Sequence, residues 1–273
     1  MNIREAFLWL GCAIAVAITA VPLSAHDFWL GTSNWFPEPG APFAISAGVG
    51  EKFPARLDFK TPTNWFDDWR IIGPSGTVKV SRLFERRDLA MAADVTLPET
   101  GAFLAVMRVA PRTTEMKADE FNDYLKEEGL TEAYAERLSL GEANRPAKER
   151  YSRYAKLALR NGAGSAAHLT RPVGVKAELV PTADPTSLRA GEMFTLQLLV
   201  DGRPVPNAAV YAAVDGGSFP RQTDAAGRVT FTIDREGEWL VKTVHMTRLS
   251  KTFPPGPDWE SYWITLSFRV GKV

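Results

Sequence analysis

With 273 residues, 45% of them hydrophobic and including 8 Trp and 15 Phe, the chain can bury substantial cores and is not of the disordered class. Its 32 Lys and Arg balance 32 Asp and Glu, so no net field gathers nucleic acid or anionic lipid, and neither is an expected partner. The single cysteine, Cys12, excludes an internal disulfide and any thiolate metal cage.

Residues 1–25 have the layout of a secretory signal: Arg4 near the start, an apolar stretch from Phe7 to Val21, and the small residues Ser24 and Ala25 at the end. Cleavage after Ala25 removes one cation, Arg4, one anion, Glu5, and the cysteine, so the exported protein stays neutral and thiol-free. The apolar stretch is short of the ~20 residues of a bilayer span, so no stable membrane insertion is expected after cleavage. The expected location is the periplasm, with His26 as the first residue of the working protein.

From about 27 to 111 the pattern is that of antiparallel strands. Phe43, Ile45, Ala47 and Val49 alternate on one face, and Trp69–Ile72, Thr77–Val80, Ala92–Leu97 and Phe103–Val109 follow. Gly73-Pro74-Ser75-Gly76 and Pro98-Glu99-Thr100-Gly101 supply turns. Asp67-Asp68, between Trp65 and Trp69, is the one stretch that resembles a sugar platform with a carboxylate pair; a surface turn over packed tryptophans is the favoured reading.

At Thr113 the residues become charged and helix-favouring. Phe121, Tyr124 and Leu125 fall at helical spacing, Gly129 reads as a stop, and Pro146 after Asn144 reads as the start of a further helix through Lys148–Lys156. That last helix would bury Tyr151 and Ala155 and leave its charges in solvent, with Tyr154 or Lys156 as candidates to face a cleft. Strand signals resume beyond Asn161–Ser165: Val173–Val180, Glu192–Val200, a hairpin turn at Asp201-Gly202-Arg203-Pro204, then Ala208–Val214, Arg228–Ile233, Glu238–Met246 and Tyr262–Val270. The expected fold is mainly β, with two β-sandwich domains of immunoglobulin or transthyretin type and a helical insert between them. The expected boundaries are a signal peptide at 1–25, an N-terminal sandwich at 26–112, the insert at 113–165 and a C-terminal sandwich at 166–273.

Phosphate loops, a Gly-x-Ser-x-Gly elbow and a His-Glu-x-x-His helix are all missing from the sequence, and three histidines without an elbow make a serine triad improbable. The sharper pattern is His26. Once first in the chain, it offers an α-amine and an imidazole to one ion, and a second histidine makes a three-nitrogen brace. His245 is the preferred partner, since alternation places it with Trp239, Val241 and Thr243; His168 follows a Gly/Ser/Ala loop and reads as exposed. Asp27 is the candidate to orient or supplement these ligands. Such a site suits copper, nickel, cobalt or zinc.

Several segments resemble one family. Ala25–Leu30, Tyr124–Leu130, Lys148–Lys156, the Asp201–Gly227 module, Val244-His245 and Tyr262–Phe268 are similar, in order, to the periplasmic DUF4198 family, whose members are often labelled as components of nickel or cobalt uptake. The resemblance implies an exported, non-enzymatic accessory protein for a transition metal, with His26 and His245 as ligand candidates and an inner-membrane permease or outer-membrane receptor as partner. With no His-rich tract, any metal role needs one defined site. The alternatives are a copper-brace oxidative enzyme acting on glycans and a structural or adhesive β-protein in which His26 is incidental.

Overall fold

The computed structural model describes residues 26–50, 52–55, 62–78, 83–86, 89–251 and 256–271; the expected signal segment and Cys12 lie outside them. The protein is mainly β, with two α-helices and three sheets among the described residues.

The central sheet has eight strands. In chain order these are β3 (Phe66–Gly73), β4 (Gly76–Val78), β7 (Ala102–Met116), β8 (Ala147–Arg160), β12 (Ala209–Val214), β13 (Gly217–Gln222), β15 (Gly237–Arg248) and β16 (Trp259–Val270). Across the sheet they run β13-β12-β15-β16-β8-β7-β3-β4, antiparallel except for the parallel pair β16 and β8. On one face lies a four-stranded sheet, ordered β1 (Asp27–Thr32), β2 (Phe43–Gly50), β6 (Leu89–Val95), β5 (Leu83–Arg86). On the other lies a small sheet in which β10 (Met193–Val200) runs between β9 (Ala177–Pro181) on one edge and β14 (Arg228–Thr232) with β11 (Arg203–Pro204) on the other.

The sequence of the central strands reflects this burial on two sides. In β7, Phe103, Ala105 and Met107 enter the core beneath β1 and β2, while Ala102, Leu104 and Val106 enter the core against β9, β10 and β14. A strand covered on both faces reads as a nearly unbroken apolar run, as AFLAVM and ITLSF do. The hairpin expected at Asp201-Gly202 is present, with both residues at positive φ (49° and 71°), the geometry a two-residue turn demands.

The helical expectation holds over α1 (Ala118–Glu127) and α2 (Thr131–Ser139), where Phe121, Tyr124 and Leu125 are buried. Gly129 ends the first helix at φ +66°, and a Cβ there would meet the Ala209 Cβ at 2.6 Å. The third expected helix is corrected: residues 147–160 form β8, at the centre of the large sheet. Three of the charges that made this segment look like a solvated helix are buried instead, with Glu149, Arg153 and Lys156 exposed by 0, 4 and 3%. Tyr151, Arg153, Ala155 and Leu157 point to the β1 side, and Tyr154, Lys156 and Ala158 to the other. Lys156 meets Glu178 of β9, not a cleft, and Tyr154 packs edge-on to Tyr262.

The segments expected as three units all contribute to the central sheet: β3, β4 and most of β7 from 26–112, β8 from 113–165, and four strands from 166–273. Strand β1 is held on this sheet by side chains of β16. The Thr265 hydroxyl donates to the Phe28 carbonyl (2.9 Å) and the Ser267 hydroxyl to the Leu30 carbonyl (2.5 Å).

Candidate functional site

The start of β1, the end of α1 and the middle of the central sheet enclose a cluster of buried charge. Asp27 is the first residue of β1; its carboxylate accepts from the Lys242 ammonium of β15 at 2.8 and 2.9 Å. The same ammonium reaches Glu128, just past α1, at 3.4 Å. Beside them Glu149 of β8, fully buried, accepts from the Tyr124 hydroxyl of α1 (3.0 Å) and from the Ser261 hydroxyl of β16. Arg153 lies among three rings, with its guanidinium carbon 5.4 Å from Tyr151, 5.4 Å from Trp263 and 6.0 Å from Phe28. Tyr124 stacks flat on Trp263 at 5.5 Å, which fixes the height of α1 above the sheet.

Burial dominates the electrostatics. It raises the Asp27 pKa, and the Lys242 charge and hydrogen bond oppose it. Glu128 is pushed up to about 7 by burial, against the pull of Lys242, and the Asp27 charge adds to the rise. Glu149 is likewise pushed up to about 7 by burial, against its hydrogen bonds from Ser261 and Tyr124. For Lys242 burial works against the charged form, but Asp27 and Glu128 together outweigh it and its pKa ends above the usual lysine value. Burial lowers the pKa of Arg153.

Of the three residues expected as metal ligands, the structure brings His26 and Asp27 to this cluster and leaves His245 out. Lys242 and Thr265, a cross-strand pair, both reach β1, so their face of β15 and β16 is the β1 face. His245 is three residues on along an unbroken register and points the other way, stacked on Tyr262 at 6.3 Å. Tyr262 belongs to the opposite core, with Val241 and Ile264. The sheet therefore lies between His245 and the other two expected ligands. Burial lowers the His245 pKa, with Glu132 pulling the other way. His168 is half-buried in a short 3-10 turn, also with its pKa lowered by burial.

Asp27 already faces an ammonium, and no group of three His, Cys, Asp or Glu that could hold an ion occurs among the described residues. The carboxylates beside the tryptophans are also engaged: Asp67 accepts a two-pronged bond from Arg108, Asp68 lies 3.6 Å from Arg70, and Arg112 covers the Trp65 ring at 4.0 Å. They sit in β3, not in a turn.

Glu128, Glu149, Arg153, Tyr124 and Lys242 were not singled out as a site by sequence. The signal that marks them is that most of these residues fall in segments resembling one family: Tyr124 and Glu128 in Tyr124–Leu130, and Glu149 and Arg153 in Lys148–Lys156. A family model described as "Domain of unknown function (DUF4198)" matches residues 23–247. Among the curated proteins, nothing matches the chain. Among solved structures, the D0-D1 domain of Intimin is similar at 11% identity, covering 90% of this chain and 98% of that one, with a TM-score of 0.22. A Salmonella alpha-2-macroglobulin mutant is similar at 12% identity, with 88% and 15% covered and a TM-score of 0.24. The fibronectin(III)-like modules of Clostridium thermocellum CbhA are similar at 11% identity, with 87% and 94% covered and a TM-score of 0.19. Likenesses at this level carry no argument about activity. No helix among the described residues is long and apolar enough to cross a membrane.

Proposed function

The chain belongs to the DUF4198 family, and from that premise together with the geometry above we propose that it is an exported structural β-protein whose N-terminal strand is a latch and not a metal centre. One observation carries this reading: the Asp27 carboxylate is held by the Lys242 ammonium, shared with Glu128, while His245 lies on the far face of the sheet. The carboxylate that would act on a ligand is instead engaged by an ammonium from an element distant in sequence. Buried pairs of this kind hold a geometry, and breaking one leaves an uncompensated charge. Export is supported by the signal-like segment ahead of His26 and by the burial of His26 and Asp27 directly after it.

The rival reading, nickel or cobalt handling through a free N-terminal histidine, draws on the adjacency of His26 and Asp27. A copper-dependent glycan oxidase needs the same end together with a second imidazole. Calorimetric titration of protein beginning at His26 with copper, nickel, cobalt and zinc separates these from the latch, with His245→Ala alongside. The latch predicts that any uptake is no tighter than an isolated amine and imidazole provide and is unchanged in His245→Ala. A one-to-one site that His245→Ala weakens tenfold or more overturns it, and oxygen- or peroxide-dependent glycan cleavage by the copper form would establish the enzyme.

A further inference from the structure

Permanent charges on the β1 face are weighted toward the acids: Asp27, Glu128 and Glu149 stand against two permanent cations, the partly buried Lys242 and the buried Arg153, with the His26 ring as a further basic group beside Asp27. One oxygen of each glutamate, Glu128 Oε2 and Glu149 Oε2, is buried with no hydrogen-bond partner among the described residues. A buried carboxylate oxygen left unpaired is costly, and the remedy is a donor that also carries positive charge. Burial pushes both glutamates up to about 7, Glu128 against the pull of Lys242 and Glu149 against its hydroxyl donors.

The chain itself holds such a donor in reserve. Hydrolysis of the Ala25–His26 peptide by water leaves a carboxylate on the departing leader and converts the His26 backbone nitrogen from a neutral amide to an α-ammonium. That group has three N–H donors and one positive charge near neutral pH. His26 is only 6% exposed and directly precedes Asp27, so the new charge forms next to the residue whose carboxylate Lys242 holds. We propose that the α-ammonium of His26, created by leader removal, is the missing cation of this cluster, and that processing thereby completes the buried network and locks β1 onto the central sheet. The inference rests on the export reading given above, including its cut after Ala25.

Two purified proteins test it, one beginning at His26 and one with Gly-Ser-Gly left ahead of it, the extension being small enough for both to fold. In thermal unfolding at pH 7 the His26-first protein is expected to melt higher by about 3 °C or more. In a Glu128→Gln background that gap is expected to shrink. Amine acylation at pH 7 gives a second readout: the His26-first terminus is expected to react at least tenfold more slowly than the extended one. Equal melting temperatures or equal acylation rates overturn the proposal. The intact mass of the exported protein reads the cut site separately, so a cut elsewhere overturns the export reading and equal behaviour of the two defined proteins overturns the lock.

Discussion

Glu149 sits in an environment far from what its type prefers. It is fully buried on β8 with hydroxyl donors from Tyr124 and Ser261, and burial holds its pKa at about 7. An unfolded chain gives up that proton near 4.5, so between about 4.5 and about 7 the folded state binds more protons than the unfolded one. Stability therefore falls as pH rises through that window and levels off above it. With residues retained ahead of His26, unfolding free energy is expected to drop by up to a few kcal/mol, at about 1.4 per pH unit, and Glu149→Gln is expected to flatten the slope. A profile equally steep in Glu149→Gln would remove Glu149 from this role. At the same scale, sequence located one end of the cluster and missed the other. Alternation correctly grouped His245 with Trp239, Val241 and Thr243, but alternation within one strand does not say which face looks toward β1. The residue that does is Lys242, one position over from that row.

Among elements, β8 has the most to explain. Its sequence, AKERYSRYAKLALR, has the charge density of a surface helix, yet it crosses the middle of the molecule. The helices α1 and α2 were legible because their apolar residues recur at helical spacing and Gly129 marks a stop. In β8 the period of two was present, but polar residues interrupt it on both faces and meet partners far along the chain, Glu149 the Ser261 hydroxyl and Lys156 the Glu178 carboxylate. Lys156 shows the cost. It is 3% exposed, burial lowers its pKa against the pull of Glu178, and it donates to Glu178 at 2.5 Å and to the Leu179 carbonyl at 3.1 Å. Glu178 in turn accepts from the Val173 and Gly174 amides. Lys156→Ala leaves that carboxylate buried and unpaired, and urea unfolding is expected to register a loss of about 3–5 kcal/mol. Lys156→Met with Glu178→Gln, which removes both charges and keeps an acceptor for the amides, is expected to recover part of it. A loss under about 1 kcal/mol in Lys156→Ala would mean that the pair does not hold β8 to β9.

For the whole molecule, sequence conveyed the mainly β class and the turn chemistry but not the assembly. The pairing that unites the chain is parallel, between β8 and β16, and the segments joined lie about a hundred residues apart with no local signature. The result is one sheet built from early, middle and late strands, with β1 clasped to it by Thr265, Ser267 and Lys242. The account's central claim is that the end of the chain expected to bind metal is a structural latch, and its energetic core is the link between Asp27 and Lys242, 215 positions apart. A double-mutant cycle with Asp27→Asn, Lys242→Met and the pair, followed by equilibrium unfolding without metal, measures that link directly. The latch predicts single losses of about 3–5 kcal/mol and a double loss well short of their sum. Strictly additive losses, or single variants as stable as the parent, would contradict it.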